Sequence, residues 1–156
     1  MFRATTDGFA VELVPEVREW VIDLADQLES LLESDDSDLR RLFPTAYPDD
    51  PERDAGYQIL ARQGLIDGRR EAITMMRDTV DLKVWTEDQL TAWMGVINDL
   101  RLVLGTKLDV GEDDDDIDFE IPEATGHLVY HQLGYLLGEA VEALTTTLPP
   151  AKDDDI

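Results

Sequence analysis

Apolar residues recur at alternating steps of three and four from Leu90 through Trp93, Ile97 and Leu100 to Leu104. That spacing keeps side chains on one helix face, so TEDQLTAWMGVINDLRLVLGTKLDV, from Thr86 to Val110, is predicted as a long helix. Thr86 with Gln89 makes a capping box, and Glu87 and Asp88 suit the positive end of the helix dipole. Gly105 is the expected stop, with Lys107 near the carbonyl end. Met94, Val96 and Val103 widen the stripe, which makes this the central helix, touched on several sides. Asn98-Asp99-Leu100-Arg101 sets polar groups among apolar ones, and buried polar groups need partners, so the tetrapeptide is expected to tie the helix to a neighbour. If Arg101 answers a buried carboxylate, Arg101→Met lowers stability by about 2 to 4 kcal/mol.

The other patterns fall on both sides of this helix. Phe2 to Leu13 alternates and is broken by Thr6-Asp7-Gly8, a hairpin signal whose residues Phe2, Phe9, Val11 and Leu13 should lie on the helices. Pro15 opens a second amphipathic helix, with Val17, Trp20, Val21, Leu24, Leu28 and Leu31 as its stripe and an end near Glu33. An acidic turn and a short helix LRRLF follow, then the irregular FPTAYPDDP. Asp50 caps and Pro51 opens a helix that Gly64 is expected to break, with a further helix from about Asp67 to Val80. DLKVW reads as an extended connection, and Ala124 to Thr147 as a closing helix that is apolar nearly all round. The fold class is mainly α, a bundle of about four to six helices with a short N-terminal β-hairpin. Residues 1–148 form one domain and 149–156 an acidic mobile tail.

Composition narrows the function classes. Acidic residues number 36 against 13 basic, a net charge of -23, which disfavours direct nucleic-acid binding. The absence of cysteine excludes disulfides, thiolate metal sites and a cysteine nucleophile. MFRATTDGF lacks an apolar signal core and no window approaches roughly 18 apolar residues, so a soluble cytoplasmic protein without membrane partners is expected.

Two motifs, RRLFPTAYPDDPE and AWMGVINDLRLVLGTKLDV, carry a resemblance. They are similar to the LxRLfPxAYpDDPe loop and WLxxLNDLRLxLGtRL helix of an actinobacterial family of oxidative-stress regulators (AosR-like), long described as a domain of unknown function. The likeness runs over about residues 2 to 148 and includes the closing YHQLGY segment. It implies a helical, non-enzymatic cytoplasmic regulator, homodimeric, acting on transcription-machinery partners such as a stress sigma factor, and it implies no cofactor. The matched positions Arg41, Tyr47, Asp49, Asp50, Trp93, Asn98, Asp99 and Arg101 are read as a structural or interaction framework, with Arg41 or Arg101 able to pair with Asp49 and Asp50. Redox sensing in the family is attached to a cysteine pair, and this chain has none, so thiol sensing is not carried over. Self-association also fits the apolar surface of the hairpin and closing helix, at Phe2, Phe9, Leu133, Leu136 and Leu137.

Candidate chemistry is sparse. Glu123, His127 and His131 are spaced four apart, so on one helix they could ligate a metal, the basis of an alternative reading as a metal-binding bundle or metal-dependent hydrolase. The bland reading of His131 is a packed helix residue. Asp113, Asp114, Asp115 and Asp116, within an acidic stretch, lack the glycine and spacing of a calcium loop, and either keep the protein soluble or steer a basic partner. No glycine-rich phosphate loop, nucleophile elbow or dinucleotide fingerprint exists, so no enzyme is expected.

Overall fold

The computed structural model describes residues 1–33, 42–43, 46–109 and 123–146, with the backbone alone described at 107–109 and 123–125. Among these, the order is β1 (Phe2–Thr5), β2 (Gly8–Val11), α1 (Pro15–Leu32), α2 (Pro51–Thr79), β3 (Val84–Trp85), α3 (Glu87–Asp109) and α4 (Glu123–Thr145). The chain is mainly α, with four helices among the described residues and a small N-terminal sheet. The tail and the short LRRLF helix lie outside the described residues, apart from Leu42 and Phe43, which are buried.

The hairpin forms where the alternation places it. Thr5 faces Gly8 across a two-residue turn of Thr6 and Asp7, and the pairing runs out to Phe2 against Val11. Gly8 has φ 139°, a conformation that L side chains rarely adopt, and an added Cβ would collide with the Trp85 carbonyl oxygen. That oxygen belongs to β3, which pairs antiparallel with β2 through Phe9 and Trp85. DLKVW is thus extended, as expected, and also supplies a third strand. Phe2, Phe9, Val11 and Leu13 are all buried against the helices.

Helix α3 is the centre of the bundle. Leu90 and Trp93 are fully buried and Ile97, Leu100 and Leu104 nearly so, and the helix packs on α1, α2, α4 and the sheet. The capping box is reciprocal: Thr86 N–H donates to Gln89 Oε1 at 2.9 Å, and Gln89 N–H to Thr86 Oγ1 at 3.2 Å. Gly105 does not end the helix, which runs on to Asp109, because Val103 to Thr106 are buried and packing holds the turn that propensity would release.

Helix α2 departs further from expectation, since one helix of 29 residues crosses Gly64. Asp50 caps it by accepting from Arg53 N–H at 3.1 Å, with Pro51 in the first turn. Its buried residues Ile66, Ile73, Met76 and Thr79 all lie in the second half. The first half projects with Leu60 85% and Ile59 79% exposed. Gly56, Gly64 and Gly68 have open space where a side chain would stand, so nothing among the described residues requires them. Each interior glycine costs a helix about 1 kcal/mol relative to alanine.

Two arginines fasten the layers. Arg18 donates to the carbonyls of Leu13 and Val11 at the end of the hairpin and to those of Val80 and Leu82 after α2. Arg77 of α2 reaches Asp26 at 2.5 Å and Glu29 at 3.1 Å on α1. The hydrogen bonds it donates to Glu29 and then to Asp26 hold its guanidinium even more firmly protonated.

Candidate functional site

Leu42 and Phe43 of one family motif and Asp99 of the other meet at Arg69. Arg69 projects from the half of α2 that packs, between Ile66 and Ile73, and its Nε lies 3.2 Å from Asp99 Oδ2 on α3. The same guanidinium donates to the Leu42 carbonyl at 3.4 Å and sits 5.3 Å from the centre of the Phe43 ring, which Arg62 also covers at 4.6 Å. One side chain therefore joins the proline-rich segment, α2 and α3. Burial pushes the Asp99 carboxyl up to about 6, against the opposing charge and hydrogen bond of Arg69. The expectation that the 98–101 tetrapeptide ties α3 to a neighbour holds at Asp99, whose partner Arg69 was not singled out in the sequence. The signal lay in its position: an arginine set between Ile66 and Ile73 of a buried apolar stripe is committed to a partner.

The other expected framework residues divide. Trp93 is fully buried, stacks on Trp85 at 4.3 Å and donates from Nε1 to Thr79 Oγ1 at 2.8 Å. Tyr47 meets Tyr57 edge-on at 6.1 Å and carries the Arg53 guanidinium 4.3 Å above its ring. Asp54, not singled out beforehand, accepts from the N–H groups of Ala46 at 2.8 Å and Tyr47 at 3.1 Å. Asp49 is exposed, and Asn98 is exposed on α3 where a partner within the fold was expected, because it faces away from the buried stripe. Arg41 lies outside the described residues.

Arg101 corrects its expectation. Among the described residues it pairs with no carboxylate; it lies over the Tyr130 ring at 4.9 Å and against Gly134 on α4, where an added Cβ would stand 3.2 Å from Nε. Its Nε is buried without an acceptor. Arg101→Met keeps most of the packing and loses only a cation–π contact, so the expected loss falls to about 0.5 to 1 kcal/mol. A urea titration that shows a loss above about 2 kcal/mol would restore the buried ion pair.

His127 and His131 lie on the exposed face of α4, and the backbone of α4 begins at Glu123 as their spacing requires. The side chain of Glu123 and all of Asp113, Asp114, Asp115 and Asp116 lie outside the described residues. Among the described residues no group of three or more His, Cys, Asp or Glu is placed to hold a metal. The apolar residues offered for self-association are placed otherwise than expected: Phe2, Phe9, Leu133 and Leu136 are core, and Leu137 is half-buried. Among the described residues the exposed large apolar side chains stand on α2, at Leu128, Tyr135 and Val141 of α4, and at Met1, Val14, Leu82 and Val84 in and beside the small sheet. No described helix is long and apolar enough to cross a membrane.

A groove of about 520 Å³ runs between α2 and α3 above this junction. It is lined by the small residues Gly64, Gly68, Ala72 and Gly95, by Leu65 and Met75, and by the charged groups of Arg69, Glu71, Asp88 and Asp99.

Comparison with known proteins agrees with the motif resemblance. The chain is 36% identical over 94 residues to a Mycobacterium bovis protein named oxidative stress regulator AosR, a match covering 49% of this chain and 43% of the relative. Proteins of the same name from two Mycobacterium tuberculosis strains match equally. The match thus spans less than half the length of these curated relatives. No solved structure matches the chain. The model of the family described as "Domain of unknown function (DUF2017)" matches residues 1–144, and the chain belongs to that family.

Proposed function

We propose that this protein is a non-enzymatic regulator of the response to oxidative stress that works by binding other proteins, a transcription sigma factor among them, in the cytoplasm. The observation that carries the reading is the 36% identity over 94 residues to proteins named oxidative stress regulator. The geometry around Arg69 supports it. Of the motif residues, Asp50, Trp93 and Asp99 are engaged in a helix cap, a buried hydrogen bond and an ion pair with Arg69, as a scaffold requires. With no cysteine in the chain, the oxidative signal reaches this protein through its partner or its abundance and not through a thiol of its own.

The net charge of -23 gives such a protein a way to find a basic partner, and the acidic run Asp113 to Asp116 is the densest part of that field. The test measures association of the purified chain with the stress sigma factors of its own organism at two salt concentrations. Replacing Asp113, Asp114, Asp115 and Asp116 with Asn should slow association roughly tenfold and flatten its salt dependence, while dissociation stays unchanged. Failure of every sigma factor to bind at micromolar concentration would overturn the reading. Binding with an unchanged on-rate would assign the run to solubility.

A further inference from the structure

We propose that Arg101 is the docking point for a carboxylate of a partner protein, received on the rim between α3 and α4. Arg18, Arg69, Arg70 and Arg77, half-buried as Arg101 is, each reach a carboxylate or a carbonyl. Arg101 reaches neither among the described residues. Of its nitrogens only Nε is buried without an acceptor, so the terminal pair stands at the surface with its donors unused. The stem is held all the same. The guanidinium carbon lies 4.9 Å from the centre of the Tyr130 ring, and Gly134 leaves room for Nε, which would otherwise meet a Cβ at 3.2 Å. An interior glycine weakens a helix, and a guanidinium that only pointed into water would not need that room. A cation fixed in this way, with a planar fork of free N–H groups, is preorganised for the two oxygens of a carboxylate.

The surroundings select the occupant. Residues 124–138 are the longest stretch of this acidic chain without a carboxylate, and they hold both of its histidines. Over that stretch α4 has no acidic group to repel an incoming carboxylate or to compete with it for Arg101. Leu128, His131 and Tyr135, at steps of three and four, form an exposed face beside Tyr130 and Gly134, with Leu128 and Tyr135 each 58% exposed. Apolar side chains next to a fixed arginine and a tyrosine have the composition of a protein-binding hot spot. A small anion would use the arginine and leave those side chains idle. The occupant is therefore a protein segment with an Asp or Glu set among apolar residues, its carboxylate on Arg101 and its apolar neighbours on Leu128 and Tyr135.

This surface rests on the regulatory reading only in taking its ligand to be a protein, and it stands whether or not that protein is a sigma factor. The test uses the whole chain labelled with nitrogen-15 and the capped peptide acetyl-Leu-Glu-Leu-amide as probe. The Arg101 Nε–H resonance and the amides of Tyr130 to Gly134 should shift saturably at millimolar peptide. The glutamine peptide acetyl-Leu-Gln-Leu-amide and sodium acetate should each bind at least roughly fivefold more weakly. Arg101→Gln should abolish the saturable shift at Tyr130 to Gly134 with an unchanged helical spectrum. Gly134→Ala keeps the charge and moves the fork, so it should weaken binding at least roughly threefold, a loss that attraction to charge alone would not produce. No saturable shift in the wild type, equal binding of the glutamine peptide or of acetate, or binding unchanged by Arg101→Gln or by Gly134→Ala would each overturn the docking point.

Discussion

Trp85→Ala should destabilise the fold by about 3 to 5 kcal/mol, the range for truncating a large aromatic in a packed core. Trp85 is fully buried although its strand has only two residues. Its ring stacks on Trp93 at 4.3 Å with 21° between planes and meets Phe2 at 5.8 Å, so the sheet and α3 share one aromatic stack. Its Nε1 donates to the Thr79 carbonyl at 2.9 Å, which adds the end of α2 to the same contact. Truncation removes the ring, opens a cavity among three elements and takes a bond from a buried carbonyl. Against a typical total of about 5 to 15 kcal/mol the loss is severe. Urea unfolding followed by circular dichroism measures it, with Trp85→Phe losing less because the stack partly survives. A loss below about 1 kcal/mol would show that the sheet is not anchored through this residue.

Asp99→Asn should raise stability at pH 7.5 by about 1 to 3 kcal/mol and leave it unchanged near pH 4. Burial favours the neutral carboxyl, so the folded chain keeps the Asp99 proton up to about pH 6, while the unfolded chain releases it near 3.8. Between those values the folded state binds more protons than the unfolded state, and stability from this residue falls as pH rises. The full difference, about 3 kcal/mol, is the cost of ionising Asp99 in the fold after the attraction of Arg69 has been counted. Asparagine keeps the neutral form at every pH. Unfolding midpoints for both proteins at pH 4 and 7.5 decide the matter, since the other carboxylates cancel in the difference. An Asn variant less stable than the wild type at pH 7.5 would mean that the Arg69 ion pair outweighs the burial.

What the sequence made legible follows from which interactions are local. The stripe of α3, its capping box, the Asp50 cap and the hairpin turn each depend on residues within a few positions of one another, and all are found where the pattern places them. Helix α2 was not legible as one element, because its first half buries little and leaves no amphipathic stripe to read across Gly64. Strand β3 is too short for alternation to register, and its pairing with β2 joins positions far apart in the chain. The same holds for the site. Asp99 is polar in an apolar context, but Arg69 comes from another helix, and Asp26 and Glu29 of α1 meet Arg77 across 51 and 48 residues of sequence.

Arg18 has a consequence for how the molecule opens. Its guanidinium is shared between carbonyls at the end of the hairpin and carbonyls just after α2, so either segment that leaves gives up two bonds to it. Opening of either segment takes two acceptors from the same guanidinium, so Arg18→Ala is expected to speed backbone-amide exchange at the end of the hairpin and in the α2–β3 turn together.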